Sequence, residues 1–422
     1  MDTDQLRVSQ SRAVARARRS AWPPSSAEAR AHAWVLTGVL WTAAAANFFG
    51  TSGRIDLFGN LKGTDFVHLY TLGTVTRERT PEALYDVSAI RARQVALVPE
   101  SAPFRYIPVY PPQAGVLLAP FAGWPYEWAL TVWTLFTVSV YAGVMAIVTR
   151  GVALQRSILI PAISGFPPFW HLVMNGQSTA LPLLAFGLGG AALLAGRAVV
   201  AGALFGLLAI KPQFGLVLAV VVLACREWRI LGGIALAWAA QFAIVSAVDG
   251  YRVWSDYAGM VASYASLRPL LVPKPVLMHS LTSLVQPLPM TWQMWAWLVL
   301  SAPVIVETVR LWRSAAALEF KLAVLVIASV QVNPQLAIYD ATVLALPLLS
   351  IAARWQTRPP RASVAFVYAL VITLLIPTAG VIGVQVSVIV MIVLFYRVRF
   401  WSRAKRMPAT SLAPGAAESA NP

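Results

Sequence analysis

The sequence predicts an all-α polytopic membrane protein, and three observations carry the prediction. Of the 422 residues, 58% are hydrophobic and only 12% charged, whereas soluble domains average roughly 45–50% and 25%. Uncharged apolar stretches recur along the chain, many reaching the roughly 20 residues that a helix needs to span a bilayer. The basic residues fall mostly between those stretches, as the positive-inside bias leads one to expect. In a soluble protein, a net charge of +16 from 33 Lys+Arg against 17 Asp+Glu would suggest nucleic acid. Here loop topology and anionic headgroups account for the charge, so the expected partners are membrane lipids and no nucleic acid. The single cysteine, Cys225, excludes an intrachain disulfide and a cysteine-based metal cluster.

Residues 1–31, with six Arg, three acids and Pro23-Pro24, read as a cytoplasmic basic arm without stable structure. The first apolar run, Ala31 to Gly53, is uncharged throughout and long enough to remain as an anchor. Further uncharged runs cover 128–149, 157–196, 198–210, 212–225, 230–248, 275–306, 322–339, 341–353 and 362–396, with a shorter piece at 110–123. If 110–123 is re-entrant, the chain crosses about 12 times and a transmembrane domain occupies 32–400. Arg150, Arg156 and Arg197 then lie on the cytoplasmic side, while Asn175 to Gln177 and Lys211 face outward. If 198–225 is instead one broken span, Lys211 sits mid-membrane. The basic tail 401–422 places the C-terminus beside the N-terminus in the cytoplasm of a multi-pass protein of the inner (plasma) membrane. Residues 54–109, with seven basic and six acidic residues, and residues 249–291 are soluble in character. They are expected as large extracytoplasmic loops, where function concentrates.

Five places could carry chemistry. Asp65, soon after the first span, is either the N-cap of a helix beginning at Phe66 or a desolvated carboxylate able to accept a proton from a sugar hydroxyl. His68 and Tyr70 follow it. Tyr106 to Pro112, which includes Tyr110, is a proline-fixed elbow into the short apolar piece. The amides of Asn175 and Gln177 either bind a sugar or cap helix ends. Lys211-Pro212 separates apolar segments too short to cross comfortably, so the lysine either snorkels or offers a fixed charge to an anion. The last cluster runs from Asn333 through Tyr339 to Asp340, where the acid either pairs with a basic residue or orients a ligand. There is no Walker loop, GxGxxG or HExxH, and the four histidines at 32, 68, 171 and 279 are scattered. No metal site and no cofactor is expected.

Taken in order, these residues resemble the membrane glycosyltransferases of family 87, which have the GT-C fold and use polyprenyl-phosphate-linked sugars. The resemblance rests on Asp65-Phe66 with Tyr70, Leu84-Tyr85-Asp86, Tyr110-Pro111-Pro112 with Pro120-Phe121, and Gly176-Gln177. It continues through Gly206 to Pro212 ahead of Arg226-Glu227-Trp228-Arg229, and covers about residues 30–350. It implies a GT-C-type helical bundle and a metal-independent, inverting hexosyltransferase, with mannose a candidate for the hexose. The polyprenyl-phosphate donor would enter from the bilayer, and a lipid or glycan hydroxyl would accept the sugar. By the family pattern Asp65 would be the base, with Lys211, Arg105 and Arg268 holding the donor phosphate. His68, Tyr70, Tyr110, Asn175, Gln177, Asn333, Tyr339 and Asp340 would contact sugar or acceptor. The late outer loop departs from the Trp/His-rich stretch of the family's mannosyltransferases, since 333–340 contains no histidine. A transporter or lipid flippase of envelope glycolipid synthesis is the alternative, because broken helices with polar residues near midplane also mark substrate pathways. A non-catalytic assembly subunit is the third reading.

Overall fold

The computed structural model describes residues 26–150, 156–263, 266–267, 277–352, 361–376 and 378–404. Among them the chain is helical, and pairing outside helices is limited to two isolated bridges, Ile55 with Leu61 and Met278 with Ala337. Most of the basic arm and the tail, with Arg268, lie outside the described residues.

Helix α1 (Ser26–Phe49) begins ahead of the boundary that composition places at residue 31, because the Ala- and Glu-containing residues before the apolar run are good helix formers. The charged segment 54–109 folds into α2 (Phe66–Arg77) and α3 (Val87–Leu97). Asp86 caps α3 by accepting the Ser88 and Ala89 amides at 2.8 and 3.0 Å. Helix α2 is buried along nearly its whole length, so this segment is a packed part of the molecule. The prolines at 111 and 112 start α4 (Gln113–Leu118). At about 9 Å it is too short to cross a bilayer, and it packs on α2.

Then follow α5 (Tyr126–Val148), α6 (Arg156–Ser164), α7 (Pro167–Asn175) and α8 (Ala180–Leu194). Helices α6 and α7 meet at a 42° bend, where Phe166 is held extended before Pro167. Next come α9 (Ala198–Phe205), α10 (Leu216–Ala224), α11 (Trp228–Asp249) and α12 (Arg252–Ala262). The remainder is α13 (Thr282–Val285), α14 (Met290–Trp312), α15 (Leu318–Val332), α16 (Ala345–Ala352), α17 (Arg361–Leu375), α18 (Ala379–Ile382) and α19 (Val386–Ala404). Among the described residues, helices α5, α11 and α14 are each long and apolar enough to cross a membrane, and the bent pair α6–α7 passes the same test only if taken together as one span.

The direction of the helices shows where the site lies. Helix α9 packs on α11 through glycines: a Cβ on Gly202 would stand 2.0 Å from the Ile230 carbonyl oxygen, and one on Gly206 would stand 2.5 Å from the Ala237 Cβ. Contacts that advance together on both helices mean that α9 and α11 run parallel. The intervening α10 must therefore run back, which puts the Arg226–Arg229 turn at the Arg197 end and Lys211 at the opposite end. The broken-span alternative for 198–225 is not adopted. Helix α14 ends beside the same basic turn, where the Trp312 indole donates to Glu227 at 2.9 Å and Arg313 donates to the Ala224 carbonyl at 2.5 Å. At the Lys211 end, α5 begins under the segment 54–109, with the Tyr126 hydroxyl donating to the Lys62 carbonyl at 2.7 Å. The molecule thus has a basic end and a site end, joined by a core that draws on α5, α7 to α11, α14 to α17 and α19.

Candidate active site

Asp65 occupies the N-cap position of α2, yet its backbone is already helical and its side chain makes no capping bond. The carboxylate instead accepts a hydrogen bond from Gln177 Nε2 at 3.0 Å. Its backbone amide donates to the Asn175 carbonyl at 3.1 Å, which ties the start of α2 to the end of α7. That approach depends on Gly176, which has φ 65° and space for no Cβ, since one would stand 2.6 Å from the Phe66 Cβ. The Gly176 carbonyl in turn accepts from the buried Trp133 indole at 2.9 Å. Burial pushes the Asp65 pKa up, and the Gln177 hydrogen bond partly opposes the shift. The resulting carboxylate is a stronger proton acceptor than one in water.

Gln177 is the hub. Its Oε1 accepts from the Tyr110 hydroxyl at 2.9 Å, from Lys211 Nζ at 3.1 Å and from the Ser178 amide at 3.2 Å. Its Nε2 donates to Asp65 and, at 3.2 Å, to the Tyr339 hydroxyl. The donors on one side and the carboxylate on the other settle which end of the amide is oxygen.

Lys211 departs from its expected role as an open cation for a leaving phosphate. Its Nζ lies 2.8 Å from Asp340 Oδ1, in an ion pair whose side chains are only 4% and 5% exposed. Thr179 Oγ1 at 3.0 Å and Gln177 take its other two protons, so all three ammonium donors are used. Asp340 is equally occupied, because Oδ1 also accepts from Thr179 at 2.5 Å and Oδ2 from the Ala337 amide at 3.3 Å. Of the two readings open for Asp340, the pairing with a basic residue is the one observed. A charge left alone at this burial would be costly, and the pairing removes that cost.

These groups open on one cavity of about 550 Å³, lined among others by Asp65, His68, Arg105, Tyr110, Gln177, Lys211, Tyr339 and Asp340. Arg105 is exposed on its wall and makes no hydrogen bond or ion pair among the described residues. His68, one turn along α2 from Asp65, is 3% exposed, and neither of its ring nitrogens has a hydrogen-bond partner among the described residues. It stacks on Tyr106 at 5.3 Å and 18°. Burial lowers its pKa to about 4, so at neutral pH the imidazole is uncharged and offers one donor and one acceptor.

The expected site therefore assembles in part. Asp65, His68, Tyr110, Gln177, Lys211, Tyr339, Asp340 and Arg105 converge. Tyr70 does not, because its hydroxyl donates to the Trp124 carbonyl at 2.9 Å. Asn175 turns back on its own helix to the His171 carbonyl at 2.8 Å. Asn333 is buried in the turn after α15, where its Oδ1 accepts from the Gln335 amide at 2.9 Å. Arg268 lies outside the described residues. Thr179 joins the ion pair without having been singled out, although it closes the polar run Asn175 to Thr179 that marks the place.

The profile of glycosyltransferase family 87 matches residues 109–328. The match takes in Tyr110, Gln177 and Lys211, starts beyond Asp65 and ends before Tyr339 and Asp340. No curated protein and no solved structure matches the chain.

Proposed function

We propose, from the premise that this chain belongs to glycosyltransferase family 87 and is a membrane glycosyltransferase, that it moves a hexose from a polyprenyl-phosphate donor to a lipid or glycan hydroxyl. The acceptor oxygen attacks the anomeric carbon as the bond from that carbon to the phosphate oxygen breaks, inverting the configuration. The hydroxyl proton passes to Asp65, and the polyprenyl phosphate leaves carrying the negative charge. Asp65 is the observation that carries this reading: it is a carboxylate of raised pKa, used by no cap and no cation, on the wall of a cavity large enough for a sugar. General-base catalysis asks for a group of that kind.

The other residues divide the remaining work. Arg105 is a cation on the cavity wall with no partner among the described residues, which suits it to the leaving phosphate, where a fixed charge contributes most. His68 offers a neutral imidazole to a sugar hydroxyl. Lys211, Thr179 and Asp340 hold Gln177, and Gln177 holds Asp65. A comparison by mass spectrometry of membrane glycolipids and envelope glycans tests the function. A deletion strain should lose one hexose from one species, and restoring the gene should return it. An unchanged glycan profile would reject the transfer.

About twelve crossings, with the site end outside and both termini in the cytoplasm, complete the reading. The helix directions support it, as do exposed aromatics at both ends: Trp128, Trp292 and Trp295 at the site end, Trp34, Trp228 and Phe400 at the basic end. Such rings favour the two membrane interfaces. In a Cys225→Ser background, Asn60→Cys should react with an impermeant thiol reagent in intact cells, and Arg229→Cys only after permeabilisation. The reverse pattern would invert the orientation and remove the outward-facing site.

A further inference from the structure

The basic end holds a second cavity, a slot of about 940 Å³ between α14 and α19, which the transfer reaction does not use. Both helices pack on α15, and Pro303, inside α14, lines the slot. The slot is chemically polarised along its length. Its inner walls are Pro303, Val306, Ile392 and Val393, all apolar. Further along both helices, the described lining residues are Arg310, Arg397 and the buried Arg399, with one acid, Glu307.

The carboxylate of Glu307 accepts from Arg310 at 2.6 Å and from Arg399 at 3.1 Å, and the second contact bridges the two helices. Arg397 stands over the Phe366 ring at 5.4 Å. Among the described lining residues, three arginines against one glutamate leave an excess of positive charge. From Arg310 to the inner wall at Ala302, α14 rises about 12 Å.

We propose that this slot is a binding site for an anionic glycerophospholipid, with its phosphate among the arginines and an acyl chain along the apolar walls. The head-to-tail polarity of the slot matches an amphiphile standing parallel to the helices, and its charge excess selects an anionic headgroup over a zwitterionic one. A basic pocket between membrane helices at the interface is chemically suited to such a headgroup. The chain's own next segment has the wrong sign, since the residues after Ala404 are Lys405 and Arg406. In the proposed orientation the occupant comes from the cytoplasmic leaflet.

The full chain, purified in an uncharged detergent, should be titrated with phosphatidylglycerol and with phosphatidylcholine of matched acyl chains, and occupancy read by native mass spectrometry. Phosphatidylglycerol should bind in preference, and soluble glycerol phosphate should not displace it. Removing two charges with Arg310→Gln/Arg397→Gln should weaken it roughly tenfold or more. Arg310→Lys/Arg397→Lys should retain it, and Ala302→Trp, which fills the slot, should exclude it. Truncation after Ala404 should change nothing. Equal binding of the two lipids, displacement by glycerol phosphate, an unaffected Gln pair, or a truncation that raises occupancy would each overturn the assignment. None of these readouts depends on sugar transfer, so they stand or fall apart from the enzymatic reading.

Discussion

Asp65→Asn protein should express, fold and retain the lipid donor like wild type while transferring sugar about 10²–10⁴ times more slowly, the range lost with a general base. An asparagine oxygen can still accept the Gln177 hydrogen bond of 3.0 Å, so the cavity keeps its shape. Because the Asp65 side chain caps nothing, the change also costs no helix stability through a lost cap. The wild-type pH profile should carry the same signature. A base works ionised, and burial raises this pKa, so kcat/KM should rise with pH through an inflection above the ordinary carboxylate value of about 3.9. Asp65→Asn should abolish that inflection. Transfer by purified Asp65→Asn protein at near wild-type rate would remove Asp65 from the reaction.

The second large effect concerns the buried ion pair. Lys211→Met leaves the Asp340 carboxylate buried beside Thr179 with no counter-charge, and breaking such a pair from one side typically costs about 3–5 kcal/mol. Asp340→Asn, which strands the lysine, should destabilise comparably. Lys211→Met/Asp340→Asn removes both charges and should recover most of the lost stability, read as the unfolding midpoint in detergent. Activity then separates two roles. If Lys211 acts only by neutralising Asp340 and so keeping the fold around Gln177 intact, the double variant should regain a substantial part of the transfer rate, since the Tyr110 hydroxyl still donates to the Gln177 oxygen. If Lys211 contacts the donor phosphate, stability should return without activity.

Much of this arrangement is legible in the residues alone. Long uncharged runs announce the spans because a bilayer tolerates little else, and arginines between them mark one end of the bundle. The polar places at 65, 110, 175–177, 211 and 339–340 stand out because such residues are costly between apolar helices. How they pair is a different matter. Nothing local distinguishes a lysine that awaits a phosphate from one already saturated by Asp340, Thr179 and Gln177, since those partners arrive from two distant segments. Gln177 and Asn175 are close in sequence and face the same boundary, yet Gly176 in its left-handed conformation separates them. One amide turns into the cavity and the other back onto α7. The charged segment 54–109 is equally ambiguous, because its composition suits a solvated loop while α2 within it is buried on every side.

The distance along the chain between Lys211 and Asp340, 129 residues, bears on biogenesis. A ribosome adding about 5–20 residues per second needs on the order of ten seconds to deliver the acid after the lysine. Throughout that interval the newly inserted ammonium lacks its ion-pair partner. In the proposed orientation, a position at a helix turn at the outer rim of the bundle would let it stay hydrated during the wait, whereas a position at midplane would expose it to lipid. Closure of the pair is therefore a late event in maturation, and it is also what seats Gln177 against Asp65. Chains halted before residue 340 should insert without acquiring an organised site, and quality control has a simple difference to detect: a lysine still in contact with water.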